Sequence, residues 1–159
     1  MFLKLKRPGR KSEIHPFTIS CSPTFGNQLQ ATIKQSGNFT NTIDQTKTTD
    51  SAYIEGPYGH FSFLNYREKP ILFIAGGVGI TPIMSMARYL RDMSDSREVV
   101  LFYGNKTSND IIFTDELQDL PDNFKVFHVL NNPDEQWNGL KGYITKDIII
   151  PIDNSAQMR

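Results

Sequence analysis

Phe73-Ile74-Ala75-Gly76-Gly77-Val78-Gly79-Ile80-Thr81-Pro82-Ile83 joins an unbroken apolar run to a helical pattern through a turn with three glycines in four positions. The run, Ile71-Leu72-Phe73-Ile74-Ala75, lacks polar alternation, as expected of a parallel strand covered on both faces. Beyond the turn, Ile83, Met86, Ala87, Leu90 and Met93 recur at helical spacing from Pro82 onward. Thr81 is expected to cap that helix and Pro82 to open it, where no N–H is needed. Glycines let a pyrophosphate approach the backbone, and the helix start adds free N–H groups and a positive dipole end. Pro82 stands where the standard dinucleotide fingerprint has a third glycine, and the Lys-Ser/Thr ending of an ATP-binding loop is missing. Taken alone, the turn would also serve as a strand–helix connection that binds nothing.

Downstream the rhythm continues. Glu98 to Tyr103 reads as a second buried strand, Asp110 to Leu120 as a helix, and Lys125 to Leu130 as a third strand. Strand and helix alternating with short connections imply an α/β doubly wound parallel sheet over residues 67–159. Upstream, Phe2 to Lys6 and Gln28 to Lys34 alternate apolar and polar residues, so residues 1–66 read as antiparallel β-structure with one wet face. Ile14 to Ser20 is strand-like, but Pro16 cannot donate to a ladder and belongs at an edge. Asn38 to Asp50 is a polar loop with a helical turn near Thr42 to Gln45, and Gly56-Pro57-Tyr58-Gly59 is a turn by composition. Arg67-Glu68-Lys69-Pro70 is the expected hinge.

Composition narrows the functions. The chain has 159 residues, enough for one domain or two small ones. Seventeen basic residues cancel seventeen acidic ones, which argues against a sequence-independent nucleic-acid binder. One cysteine, Cys21, excludes an internal disulfide framework and any multi-cysteine metal site. His15, His60 and His128 lack metal-ligand spacing, so no metal is expected. Ser20, Ser22 and Ser62 lack the context of an activated nucleophile. No apolar run reaches the roughly 18 residues of a membrane span. The basic start has no apolar core for a signal peptide, so a reducing, cytoplasmic setting is expected.

His15-Pro16-Phe17-Thr18 alone is compatible with an ordinary edge strand whose phenylalanine enters the core. An exposed aromatic beside a histidine and a hydroxyl would equally stack on a planar ring and hydrogen-bond its edge. Taken in order, the segments resemble the ferredoxin–NADP reductase superfamily, in particular its ferric-reductase and NADPH-oxidase branch. The resemblance runs from Phe2 to about Ile150. His15-Pro16-Phe17-Thr18 resembles the branch's FAD-binding motif, and Glu55-Gly56-Pro57-Tyr58-Gly59 the segment closing the flavin domain. Phe73 to Ile83 resembles the nicotinamide-nucleotide motif. Phe102-Tyr103-Gly104-Asn105-Lys106-Thr107 resembles the segment that reaches the adenosine ribose, and Trp137-x-Gly139-x-x-Gly142-Tyr143-Ile144 a later family segment.

The resemblance implies that Phe17 lies against the isoalloxazine, with Thr18 at its polar edge and His15 near the phosphate-bearing tail. It extends flavin contact to Pro16, Ser20, Gly56, Pro57, Tyr58 and Gly59. It gives NAD(P)H contact to Gly76, Gly77, Val78, Gly79, Ile80, Thr81, Pro82, Asn105 and Lys106. With no acid between Tyr103 and Asp110, Lys106 is a candidate partner for the 2′-phosphate of NADPH. The family's flavin domain is a six-stranded barrel, and only about four strands are readable here. An incomplete antiparallel barrel is therefore expected, followed by a nucleotide-binding domain without the family's Cys-Gly-Pro segment. The implied function is hydride transfer from NAD(P)H to FAD and electron delivery to an unassigned acceptor, with a membrane haem domain upstream in some family members. The alternatives are a non-catalytic nucleotide-binding fragment, or an electron-transfer subunit that needs a partner chain to hold flavin.

Overall fold

Leu3 and Leu5 are buried while Phe2, Lys4 and Lys6 are exposed, so strand β1 (Phe2–Lys6) turns one face inward. It is the middle strand of an antiparallel sheet between β2 (Ile14–Pro16) and β3 (Ser51–Glu55). Phe2 lies opposite both Pro16 and Glu55, which brings the ends of the two outer strands to the same end of the sheet. Pro16 sits at the sheet edge, as its missing N–H requires. The polar loop holds a 3₁₀ turn, Thr40–Gln45, fixed to β1 by Arg7, which donates to the carbonyl and hydroxyl of Thr42.

This computed structural model describes residues 1–66 and 69–150. Two units form, Met1–Ser62 with Thr81–Asp92, and Phe63–Ile80 with Met93–Arg159. The helix that follows the glycine turn thus groups mainly with the antiparallel sheet. Of the expected hinge, Arg67 and Glu68 lie outside the described residues.

In the second unit, β4 (Ile71–Gly76), β5 (Val99–Asn105), β6 (Phe124–Leu130) and β7 (Leu140–Lys141) form a parallel sheet in sequence order. Within this sheet β5 is an inner strand, buried along almost its whole length. Val100, Phe102 and Val129 are a core against which Phe127, Leu140, Ile144, Ile148 and Ile149 pack. Helix α1 (Ile80–Asp92) connects β4 to β5, and the short helix α2 (Thr114–Gln118) connects β5 to β6. In α1, Ile80, Ile83, Met84, Ala87 and Leu90 are almost fully buried. Each larger side chain among them contributes about 2 kcal/mol.

Four readings are corrected. Gln28 to Lys34 joins no ladder: its neighbour is the irregular segment at Ser20–Cys21, which meets it through isolated bonds such as Ser20 N–H to Gln30 O, 2.8 Å. One face of β4 is open, with Leu72 and Ile74 about half exposed, because no described element covers it. Met93, assigned to the buried helical stripe, lies just beyond the helix and is exposed. The helix expected over Asp110 to Leu120 is interrupted. A capping box at Thr107 and Asp110 closes the 3₁₀ turn Ser108–Asp110, and Phe113 takes a left-handed conformation, φ 61°, before α2 starts.

Candidate functional site

The parallel sheet builds one candidate site at its carboxyl end, where an open α/β sheet binds ligands. Gly77–Gly79 forms a 3₁₀ turn that runs directly into α1, and the Ile80 N–H bonds to the carbonyls of Gly77 and Val78. Helical geometry therefore begins before Thr81. Thr81 is the buried second residue of α1 rather than its cap, and Pro82 is the third. The N–H groups of Gly77, Val78 and Gly79, which precede the first such bond, are the ones offered to an anion. A methyl group added at Gly76, Gly77 or Gly79 would meet nothing within 4 Å, so space above the turn is open. Gly77 alone of the three has a left-handed φ, 48°.

Tyr103 on β5 donates its hydroxyl to the Gly77 carbonyl at 3.2 Å and is almost fully buried, so the central strand holds the turn from beneath. Burial pushes its phenol pKa up and keeps it a neutral donor. His128, opposite Tyr103 on β6, has its pKa lowered by burial and is neutral at pH 7. Asn105 ends β5. Its side chain is buried beside the Tyr103 hydroxyl, and among the described residues neither Nδ2 nor Oδ1 makes a well-formed hydrogen bond. An unpaired buried amide costs stability, and a ligand with a donor and an acceptor would satisfy it. Lys106 is exposed beside it. The end of β6 is fastened to the same edge, since Asn131 and Asn132 donate their N–H groups to the carbonyls of Asn105 and Lys106. Asn131 also donates from its side chain to the Tyr143 hydroxyl, 3.1 Å, and Tyr143 is 74% exposed.

The antiparallel sheet builds a second candidate site. His15 ends up half-buried on β2, and Phe17 N–H bonds to Met1 O at 2.9 Å, extending the β1–β2 pairing. Thr18 follows, exposed. His15 stacks on Phe39 with centroids 4.0 Å apart, Phe17 lies 6.2 Å from the same ring, and Glu13 bonds to the His15 imidazole. Gly56-Pro57-Tyr58-Gly59 stands exposed at the same end of the sheet, where Tyr58 packs edge-on against Phe2. The Tyr58 hydroxyl donates to Glu55, which raises its pKa. Pro16, Phe17 and the Gly56–Gly59 turn therefore meet at the Met1–Phe2 end of the sheet. Ser20 is not part of that surface. It is fully buried, with its hydroxyl bonded to Gln30 O and Thr32 Oγ1, so it serves the segment rather than a ligand.

Sequence reasoning missed Tyr103, Tyr143 and Phe39 as site residues. Phe39 carried a signal, a lone aromatic in a polar loop. Tyr103 carried none, since a tyrosine in an apolar strand reads as core. Among the described residues no group of three or more His, Cys, Asp or Glu gathers as a metal site, and no helix is long and apolar enough to cross a membrane.

Residues 73–158, over half of the chain, match the oxidoreductase NAD-binding domain family. The chain belongs to that family. It is 31% identical over 156 residues to NADH-cytochrome b5 reductase 2 of Aspergillus terreus, covering 94% of this chain and 49% of the relative. With NADH-cytochrome b5 reductase 1 of Dictyostelium discoideum it shares 34% over 147 residues, covering 89% and 51%. The chain thus spans about half the length of these curated relatives. The cytochrome b5 reductase domain of Ulva prolifera nitrate reductase superposes with a TM-score of 0.78 at 22% identity, covering 94% of this chain and 67% of that one. The chain thus shares the fold of that domain, an antiparallel sheet followed by a parallel sheet. These two sequence relatives are cytochrome b5 reductases, whereas the motifs alone had pointed to the ferric-reductase branch.

Proposed function

We propose that this chain is the cofactor-handling part of a flavin-dependent NAD(P)H reductase that delivers electrons to a haem protein of the cytochrome b5 type. The buried Asn105 amide at the carboxyl end of β5, which makes no well-formed hydrogen bond among the described residues and stands beside an open glycine turn, carries the reading. The N–H groups of Gly77, Val78 and Gly79 would hold the pyrophosphate, Asn105 the ribose or adenine edge, and Tyr143 would offer its exposed ring to the adenine face. FAD fits the other site by its donor chemistry. The Phe17 ring would bear on the isoalloxazine and the Thr18 hydroxyl on its polar rim, while His15 would face the phosphates. When bound, FAD would accept a hydride from the nicotinamide and release electrons singly. The chain's own residues bind and orient, and no side-chain acid or base is required.

Lys106 is exposed at the strand end, and the nearby Asp110 carboxylate is taken up by the N–H and hydroxyl of Thr107, 3.0 and 2.7 Å. The ribose 2′ position would therefore meet a cation rather than an acid. The test is titration with FAD, then anaerobic mixing with NADH or NADPH while the visible flavin absorbance is followed, then addition of an oxidised b5-type cytochrome. Bleaching by the dinucleotide and recovery on adding cytochrome are expected. Nucleotide binding without FAD binding would refute the reductase reading in favour of a nucleotide-binding module. If Lys106→Ala leaves the NADPH to NADH affinity ratio unchanged, Lys106 does not select the coenzyme.

A further inference from the structure

Helix α1 carries a polar stripe that its packing does not require. Ile83, Met84, Ala87 and Leu90 are buried and apolar, as a packed helix demands. Between them Ser85, Arg88 and Asp92 recur at spacings of three and four, so they share one face. That face meets the segment just beyond His15-Pro16-Phe17-Thr18. Ser85 Oγ donates to Cys21 O at 2.6 Å, Arg88 Nη1 donates to Ser20 O and, at 3.1 Å, to Gln30 Oε1, and Thr24 donates its hydroxyl to Asp92. Arg88 is 8% exposed, Ser20 0%, Cys21 3% and Ser22 4%. A guanidinium withdrawn this far from water is costly unless its hydrogen bonds are met in place, so an arginine used here specifies a geometry that an apolar residue would not.

The anchored geometry is that of the flavin motif's downstream end. On one side of Thr18, the Phe17 N–H is held by Met1 O at 2.9 Å. On the other side, Ser20 is held by its own N–H on Gln30 O and by Arg88 on its carbonyl. Thr18 is exposed between these two fixed points.

We propose that Arg88, assisted by Ser85, is a positioning residue for the Phe17–Thr18 edge, acting from α1 through the carbonyls of Ser20 and Cys21. The inference rests on the flavin reading of that edge. Arg88 touches no cofactor in this scheme. It sets the backbone from which Thr18 is presented.

The experiment compares the full chain with Arg88→Met, Ser85→Ala and Leu90→Ala, the last removing apolar packing from the same helix outside the stripe. Three measurements are made: the melting temperature, amide hydrogen exchange of the flavin-free chain, and FAD titration by fluorescence with the visible band shape recorded. Arg88→Met is expected to speed exchange at Ile19–Ser22 at least tenfold while β5 amides keep their protection. It should also weaken FAD at least tenfold and alter the fine structure of the visible band. Ser85→Ala should do the same more weakly. Leu90→Ala is expected to lower Tm but to leave FAD affinity within twofold. Unchanged exchange at Ile19–Ser22 in Arg88→Met would overturn the proposal, as would FAD losses that simply follow Tm across all three variants. A native chain that binds no FAD, with the exchange effect present, would instead sink the flavin reading and leave the clamp standing.

Discussion

Gly79→Val separates the two demands that a glycine-rich turn can serve. A Cβ at Gly79 meets nothing within 4 Å, and its φ is not left-handed, so the backbone tolerates a side chain there. The expected stability change is within about 1 kcal/mol, since the substitution also reduces unfolded-chain freedom. The open space it fills is where a pyrophosphate would sit on the N–H groups of Gly77, Val78 and Gly79. Losing two charge-assisted hydrogen bonds at about 1.5–2 kcal/mol each gives about 3–4 kcal/mol. That is a few-hundred-fold loss of dinucleotide affinity. Gly77→Val is the matched control. Its Cβ also meets nothing, but its φ of 48° forces a β-branched residue into the left-handed region. It should therefore cost about 1–2 kcal/mol of stability besides the affinity. Urea unfolding and calorimetry with NADH and NADPH give a stability and two affinities for each variant. The reasoning is refuted if Gly79→Val binds dinucleotide within threefold of the native chain. Equal destabilisation by the two variants would also refute it, because the backbone conformations would then not matter as argued.

Asn105→Leu should keep or raise stability, by up to about 2 kcal/mol, because it removes a buried amide that makes no well-formed hydrogen bond among the described residues. It should also lose at least tenfold in dinucleotide affinity, and a destabilised variant with native affinity would show that Asn105 is structural. His128 has its folded-state pKa lowered below 6.5 by burial, so the unfolded chain takes up the proton first as pH falls. Stability should therefore decline from pH 7 through 6.5 toward the folded-state pKa and level off below it. His128→Gln should reduce that slope in urea melts at pH 7.5 and 5.5, and an unchanged slope would assign the dependence to other groups.

Much of the site was legible because it is written locally. Three glycines between an apolar run and a helical stripe can only be a tight strand–helix turn, since both the φ at Gly77 and the open space above the turn depend on residues with no Cβ. Pro16 announced an edge strand because a residue without an N–H cannot sit inside a ladder. The parallel strands ending at Gly76, Asn105 and Leu130 were visible as apolar runs separated by helical periods.

What lies alongside each segment was not visible. Gln28 to Lys34 has the alternation of a strand, but pairing needs a neighbour in register, and its neighbour is irregular. The open face of β4 has the same origin: an apolar run states a preference for burial without supplying the cover. Thr81 lost its capping role because the glycine turn is already helical, a conformation set by the Tyr103 hydroxyl and the helix together. Ser20 looked available to a ligand in the sequence and is sealed inside by Gln30, Thr32 and Arg88, residues 10, 12 and 68 positions away. The sequence by itself determined the parallel strands, the glycine turn and the helix that follows it, because those preferences act within a few residues. Only the tertiary structure decided which polar groups are spent on the protein and which, like Asn105, are buried without a well-formed hydrogen bond among the described residues, because hydrogen-bond partners are chosen through space.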